Sequence, residues 1–270
     1  MPFAEANGQR IHYEVHGEGE PLLCVMGLGA DTLAWGFQLP EWSKHFRVVV
    51  FDNRDAGRSS YAEGDYEMVD MARDALSVAD HLEIEDFHLL GVSMGGAIAQ
   101  ELALGWPGRV RTLTLCVTWA GSGKHGREFS RLWARQAERT PFEEHIDNLL
   151  RLTLSEQYYE NEEQVKTLRQ MTLDNPHAQS IEAFVRQLMS TGRHETRQRL
   201  PSLGMPVHVI GAELDILVPV WKSREIADLV PQAELTVIEG APHGVNLERA
   251  EDFNAAVLGF LASVGAQVTQ

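Results

Sequence analysis

Ser93 lies between two glycines in the run Gly91-Val92-Ser93-Met94-Gly95. An apolar run precedes this G-x-S-x-G pattern and a run of small residues follows it, which predicts a strand, a sharp turn and a helix. A serine on such a turn stands out from the backbone, and its small neighbours let the strand and the helix approach each other. The pattern indicates a nucleophilic serine, but alone it is equally compatible with an ordinary glycine-rich turn.

A serine hydroxyl attacks a carbonyl only when a base takes its proton, and a third group must hold that base in one tautomer. His243 lies in a loop of proline and glycine after the last predicted strand, and Asp215 follows the strand predicted at residues 207–210. Glu213 is a weaker candidate than Asp215 for the orienting acid. The order along the chain therefore predicts a catalytic triad of Ser93, His243 and Asp215.

A tetrahedral intermediate also needs hydrogen-bond donors for its oxyanion. The backbone N–H of Met94 opens the helix after Ser93, where N–H groups have no helical partner. The second donor is expected in the loop after an early strand, and the run Met26-Gly27-Leu28-Gly29 ends such a strand. We therefore predict an oxyanion hole formed by the N–H groups of Leu28 and Met94.

The elements that position these residues alternate between apolar strands and amphipathic helices, which predicts an α/β fold with a mostly parallel sheet covered by helices on both faces. A glycine-rich turn at residues 17–20 predicts an antiparallel hairpin between the first two strands. Four helices are predicted at residues 67–82, 94–106, 221–230 and 248–264. Strands are predicted at residues 11–15, 22–26, 48–51, 87–92, 110–117, 207–210 and 235–238.

The alternation stops between residues 121 and 200, which are helical, charged and poor in β-branched residues. We predict a core of residues 1–120 and 201–270, with residues 121–200 inserted as a helical cap, or lid, over the ligand-binding end of the sheet. Trp119, Phe129 and Trp133 are the predicted substrate contacts. Packing of the cap onto the core explains the same aromatic residues equally well. The expected pocket is apolar, with few polar anchors.

Composition narrows the classes of function. The 44% hydrophobic content and the net charge of −16 indicate a globular protein that binds neither nucleic acid nor an anionic membrane. The first residues lack the pattern of a signal peptide, and Cys24 and Cys116 lie in apolar runs, so we expect a cytoplasmic protein with free, buried thiols. No spacing of ligands predicts a metal or a cofactor. The sequence is compatible with a monomer and with a homo-oligomer.

Five segments of the chain resemble the α/β-hydrolase family: residues 26–29, 51–59, 91–95, Asp215 with Val218-Pro219, and residues 240–244. The resemblance implies an eight-stranded sheet, Ser93 as nucleophile, His243 as base and Asp215 as the orienting acid. Two positions depart from the family pattern. Met26 replaces the histidine of the common His-Gly pair. Asp55 replaces a usual glycine, as in some bacterial methylesterases that act on polyketides.

The leading interpretation is a serine hydrolase that cleaves a small carboxylic ester or lactone through an acyl-enzyme. Carbon–carbon bond hydrolysis, cofactor-free perhydrolysis and opening of an enol-lactone also fit a serine triad, and residues 245–249 resemble 3-oxoadipate enol-lactonases. An enol-lactonase would need a cation for the substrate carboxylate, for which Arg127, Arg131 and Arg135 are candidates. Ser93 disfavours haloalkane dehalogenases and epoxide hydrolases, which use an aspartate nucleophile. A binding protein without catalysis is disfavoured because all three triad residues are present.

Overall fold

The computed structural model describes residues 2–268, and side chains within residues 2–265. Eight strands form one sheet in the order β1-β2-β4-β3-β5-β6-β7-β8. The strands β3 to β8 are mutually parallel, whereas β1 and β2 run antiparallel to their neighbours. The prediction of a mostly parallel sheet of eight strands is therefore confirmed. The strands are β1 (Phe3–Ala6), β2 (Gln9–His16), β3 (Glu20–Val25), β4 (Phe46–Phe51), β5 (Phe87–Val92), β6 (Val110–Cys116), β7 (Val207–Ala212) and β8 (Glu234–Ile238).

Helices cover both faces of the sheet and also fill the interval between β6 and β7. Helices α2, α3 and α9 pack on one face, and α1 and α11 pack on the other. The helices are α1 (Leu39–Trp42), α2 (Met68–His81), α3 (Met94–Gly105), α4 (Gly123–Ala137), α5 (Phe142–Thr153), α6 (Glu156–Tyr159), α7 (Glu162–Leu173), α8 (Ile181–Arg193), α9 (Trp221–Leu229), α10 (Val245–Glu248) and α11 (Ala250–Val268). Three short 3₁₀ turns lie at Thr32–Trp35, Pro107–Arg109 and Leu200–Ser202.

The central strands bury both of their faces, because successive side chains point to opposite sides of a sheet. In β3, Leu23 and Val25 pack against α2 and α3, whereas Leu22 and Cys24 face α1 and α11. The near-continuous apolar runs in the sequence are therefore those of strands covered on both sides. The thiols of Cys24 and Cys116 are free, and burial raises the pKa of each.

The hairpin predicted at residues 17–20 is wrong. Strands β2 and β3, which flank that turn, are not neighbours, because β4 lies between them and pairs with both. The hairpin lies earlier, where Asn7 (φ 50°) and Gly8 (φ 76°) join β1 to β2. Two successive residues with positive φ match the twist of an antiparallel pair. A Cβ on Gly17 would lie 2.2 Å from the Ser43 carbonyl oxygen, so close packing against the segment before β4 requires this glycine.

Helices α4 to α8, which we call the inserted helices, leave the sheet after β6 and return to it before β7. They share an apolar cluster of their own, in which Trp133 and Ala137 of α4 pack on Phe184 and Leu188 of α8. The boundaries of a cap at residues 121 and 200 stay a prediction. Among the described residues, no helix is long and apolar enough to cross a bilayer.

Candidate active site

Ser93 occupies the sharp turn between β5 and α3, and its backbone is in the left-handed region with φ 56° and ψ −118°. For a residue with a side chain, this conformation costs about 1–3 kcal/mol. Hydrogen bonds on both sides hold it in place. The Ser93 N–H donates to the carbonyl of Cys116 at 2.9 Å, and the Thr118 hydroxyl donates to the Ser93 carbonyl at 2.8 Å.

The glycines around Ser93 are required by close contact between backbones. A Cβ on Gly95 would lie 2.0 Å from the carbonyl oxygen of Val25, at the end of β3. A Cβ on Gly91 would lie 2.3 Å from the carbonyl oxygen of Gly95 across the turn. Both distances are far inside van der Waals contact, and the backbone atoms concerned cannot rotate away. The G-x-S-x-G spacing thus lets β3, β5 and α3 meet directly beneath the serine.

His243 lies in the loop between β8 and α10 and contacts Ser93 with one ring nitrogen and Asp215 with the other. The distance from Nε2 to the Ser93 Oγ is 3.0 Å, and the distance from Nδ1 to the Asp215 Oδ2 is 2.7 Å. The imidazole is 8% exposed, and the carboxylate of Asp215 is buried. The inserted helices contact the same loop, because the Gly244 N–H donates to the Thr153 carbonyl at 2.7 Å.

Asp215 is oriented by backbone groups that follow it in the chain. Its Oδ1 accepts hydrogen bonds from the N–H groups of Leu217 at 2.9 Å and Val218 at 2.7 Å. The second oxygen is left to face His243, so the carboxylate stabilises the tautomer with a proton on Nδ1. The weaker candidate, Glu213, is exposed and accepts a hydrogen bond from the Gly240 N–H instead.

The loop after β3 passes directly beside the serine. A Cβ on Gly27 would lie 3.2 Å from the Ser93 Cβ, so the backbone at residues 27–28 is close to the Ser93 side chain. Among the described residues, neither the Leu28 N–H nor the Met94 N–H donates a hydrogen bond. Both N–H groups are thus unengaged donors on the two segments that flank Ser93.

A small cavity of about 50 Å³ lies between the inserted helices and the loops that follow β3 and β4. Burial lowers the pKa of the His145 imidazole in its wall, so this ring is neutral at pH 7. Polar side chains of Asp31, Asn175, His177 and Gln179 also reach the cavity, and no arginine or lysine lines it. Its apolar lining consists of Phe142, Ile146, Leu149, Ala178 and Phe184.

The three aromatic residues predicted to contact substrate do not line this cavity. Trp133 packs behind it, with its ring 5.4 Å from that of Phe184, and Phe129 is 42% exposed on the outer side of Trp133. The Trp119 Nε1 donates to the Ser122 hydroxyl at 3.0 Å, and its ring meets His194 edge to face. Their roles as substrate contacts stay predictions. The candidate cations Arg127, Arg131 and Arg135 are all exposed.

Two buried polar residues beside the loop after β3 have no role in the sequence-based prediction. Asn53 donates from Nδ2 to the Met26 carbonyl at 2.9 Å, and Gln187 accepts at Oε1 from the Gly29 N–H at 3.3 Å. Gln187 did leave a signal in the sequence, since it stands with Phe184 and Leu188 on the apolar face of an amphipathic helix. A polar residue at such a position usually has a buried hydrogen-bond partner.

Known proteins resemble this chain over almost its whole length. RutD from Variovorax paradoxus, which is named as a carbamate hydrolase, is 31% identical to this chain over an alignment of 275 residues. The alignment covers 95% of this chain and 97% of that protein. The enol-lactonase structure from Burkholderia xenovorans LB400 superposes with a TM-score of 0.89 at 27% identity, covering 97% of this chain and 100% of the other. A thermophilic esterase from Thermogutta terrifontis gives a TM-score of 0.87 at 26% identity, covering 97% and 98%.

A family model described as the alpha/beta hydrolase fold matches residues 20–250, which include the sheet from β3 to β8 and the three residues Ser93, Asp215 and His243. The match covers well over half of the chain. With this sheet and these relatives, the chain is a hydrolase that belongs to the α/β-hydrolase family.

Proposed function

We propose that this protein is a serine hydrolase that cleaves a carboxylic ester or lactone through an acyl-enzyme, with Ser93, His243 and Asp215 as its catalytic triad. The observation that carries the proposal is the continuous hydrogen-bond chain from the Ser93 Oγ through His243 to Asp215, with distances of 3.0 and 2.7 Å. The strained, outward-facing position of the serine supports the same assignment, because it leaves the hydroxyl accessible at the turn.

In the first half of the reaction, His243 Nε2 takes the Ser93 proton as the Oγ attacks the substrate carbonyl carbon. The carbonyl oxygen becomes negative and accepts hydrogen bonds from the Leu28 and Met94 N–H groups. When the tetrahedral intermediate collapses, the bond to the alcohol breaks and His243 gives its proton to the departing oxygen. A water molecule then repeats the sequence on the acyl-enzyme, which releases the acid and returns the proton to Ser93.

The inserted helices supply the proposed cover of this site, a cap formed by residues 121–200. Support comes from their contacts with the loops that carry the reaction, namely Thr153 with Gly244 and Gln187 with Gly29. The cavity between cap and core is lined by aromatic and aliphatic side chains and by polar groups that include one carboxylate, that of Asp31. None of the three triad residues lines this cavity, and its apolar walls suit an uncharged acyl or alcohol group of small size. Within the described cavity lining there is no arginine or lysine to favour a dicarboxylic enol-lactone.

Replacement of the proposed nucleophile tests the reaction. Ser93→Ala should abolish turnover of p-nitrophenyl acetate and butyrate, because alanine has no oxygen to form the acyl-enzyme. A fluorophosphonate should add one adduct to the wild-type protein, measured by intact mass, and none to Ser93→Ala. Ser77→Ala is the matched control, since the Ser77 hydroxyl donates to the Arg73 carbonyl within α2. Undiminished turnover by Ser93→Ala, or an adduct on another residue, would overturn the proposal.

Carbamate hydrolysis is the second candidate, because relatives that carry the name carbamate hydrolase match this chain end to end. A carbamate carbonyl can be attacked by the same serine, but the carbamoyl-enzyme is deacylated more slowly because nitrogen donates electrons to its carbonyl. Matched p-nitrophenyl esters and carbamates, compared by kcat/KM, separate the two candidates. A kcat/KM for the carbamate above that for the ester would favour the second. Ester chain length from two to eight carbons should then define the acyl pocket.

A further inference from the structure

The loop that carries Leu28 is held at both of its ends by buried side chains. On one side, Asn53 Nδ2 donates to the Met26 carbonyl at 2.9 Å, and on the other, Gln187 Oε1 accepts from the Gly29 N–H at 3.3 Å. Asn53 is 1% exposed and Gln187 is fully buried. The Met26 carbonyl and the Gly29 N–H are thus engaged, whereas the Leu28 N–H between them donates no hydrogen bond within the described residues.

The orientation of the Gln187 amide is fixed by its second partner. Its Nε2 donates to the Arg54 carbonyl at 2.8 Å, and a carbonyl oxygen can only accept. The oxygen of the amide must therefore face the Gly29 N–H. One side chain thus joins the loop after β3 to the loop after β4, which also carries Asn53. Rotation of the amide by half a turn would place its NH₂ against the Gly29 N–H and its oxygen against the Arg54 carbonyl. Only one orientation of the amide therefore forms both hydrogen bonds.

Gln187 reaches this position from α8, one of the inserted helices. The neighbouring Arg186 fixes the same helix on the core, with its guanidinium 2.9 and 2.8 Å from the two oxygens of the buried Asp55 carboxylate. Asp55 itself adopts φ 66°, and its carboxylate also accepts from the Tyr66 hydroxyl at 2.8 Å. The place of Gln187 against Gly29 is therefore set by an ion pair that seats α8.

We propose that Gln187 is a positioning residue, which acts through Gly29 to aim the Leu28 N–H at the reacting carbonyl oxygen. The inference rests on the proposed function, in which that N–H binds the oxyanion. The full negative charge on this oxygen exists only in the transition state and the intermediate, so a misaimed donor lowers kcat and leaves KM nearly unchanged. Gln187 is not among the residues that line the cavity, so its replacement removes no side chain from the cavity wall.

The test compares two neighbouring substitutions on α8 in the full-length protein. Gln187→Met keeps the length of the side chain but removes the acceptor for Gly29 and the donor for Arg54. We expect kcat for p-nitrophenyl butyrate to fall about 10- to 100-fold, with KM changed less than threefold, because loss of one whole oxyanion donor costs about 100- to 1000-fold. Leu188→Ala is the control. Leu188 is buried in the apolar cluster of α4 and α8, on which Leu28 also packs, so this variant loosens the packing of α8 without removing a hydrogen bond to the loop after β3.

Every result of this comparison is decisive. A fall in kcat of less than tenfold for folded Gln187→Met, or a change in KM of threefold or more, overturns the inference. An equal fall in kcat for Leu188→Ala also overturns it, because it would show that loosening of α8 is the cause. Titration with fluorophosphonate counts folded active sites, so that kcat refers to competent protein only. If Gln187→Met aggregates, Gln187→Asn replaces it, since an amide one methylene shorter cannot span both partners. Loss of activity in Ser93→Ala together with normal kcat in Gln187→Met would refute the positioning role alone.

Discussion

Replacement of Asp215 by asparagine tests how the carboxylate orients His243, because an amide has only one oxygen for three donors. If that oxygen stays with the N–H groups of Leu217 and Val218, the amide NH₂ faces His243 Nδ1. The ring must then accept at Nδ1 and carry its proton on Nε2. In this tautomer Nε2 donates a hydrogen bond to Ser93 and cannot take the proton of the hydroxyl.

The other amide orientation restores the correct tautomer but turns the NH₂ toward two backbone donors. It leaves two buried N–H groups without acceptors, at about 1–3 kcal/mol each. A penalty of about 2–6 kcal/mol, at 1.36 kcal/mol for each factor of ten, reduces the competent population by about 30-fold to about 3 × 10⁴-fold. We expect kcat of Asp215→Asn to fall by this factor, with little change in the midpoint of thermal unfolding.

The assay measures kcat for p-nitrophenyl butyrate at pH 7.5. Fluorophosphonate titration of the wild-type protein gives the number of active sites per mole of protein, and each kcat is expressed per site on that basis. Glu213→Gln is the matched control, because this exposed carboxylate lies two residues upstream and accepts from the Gly240 N–H instead of His243. Its kcat should stay within twofold of wild type. More than a tenth of wild-type kcat in Asp215→Asn, or an equal loss in Glu213→Gln, would refute the role given to Asp215.

Three further predictions concern stability, measured as the free energy of unfolding in urea. Gly95→Ala should lower the free energy of unfolding by more than about 4 kcal/mol, because the new Cβ would lie 2.0 Å from the Val25 carbonyl oxygen. Gly105→Ala, with open space around the new Cβ, should raise the free energy of unfolding by about 0.5–1 kcal/mol. Arg186→Met should lower the free energy of unfolding by about 3 kcal/mol, since it leaves the buried Asp55 carboxylate without its cation. Arg131→Met, which breaks an exposed ion pair with Glu128, should lower it by less than about 0.5 kcal/mol. Burial lowers the pKa of His208 to about 4. The unfolded chain, with a histidine pKa of about 6.5, therefore binds more protons between these values, and this histidine's share of stability falls by about 1.4 kcal/mol per unit as the pH drops from 6.5 to 4. His208→Gln should remove that share, and equal pH dependence in both proteins would contradict the assignment.

The fold, and the residues expected to lie near Ser93, could be predicted from the sequence because their signals are local. Apolar runs flanked by glycine mark the buried strands, and Asp215 and His243 each follow such a run directly. In a parallel sheet the carboxyl ends of the strands share one edge, so residues far apart in the chain are expected to meet there. The structure brings these three side chains into hydrogen-bond distance.

The parts that sequence reasoning missed depend on contacts between distant segments. The turn at residues 17–20 and the Asn7-Gly8 turn both have the composition of a hairpin, and only the insertion of β4 between β2 and β3 decides between them. Likewise, nothing near Gln187 in the chain points to Gly29, which lies 158 positions away. The cavity lining combines residues from separate segments of the chain. Composition does not indicate which of these segments meet, so it pointed to the aromatic residues of α4, which lie outside the lining.

The contacts between the inserted helices and the core also bear on how such proteins can be recombined. Three of them reach the loops after β8, β4 and β3: the Thr153 carbonyl to Gly244, Arg186 to Asp55, and Gln187 to Gly29. A chimera that received these helices from a relative would inherit the substrate pocket that we propose they form, but it would lose any of the three contacts that the donor lacks. Specificity and catalytic rate would then change together, unless Asp55 and its partners on α8 were transferred as one unit.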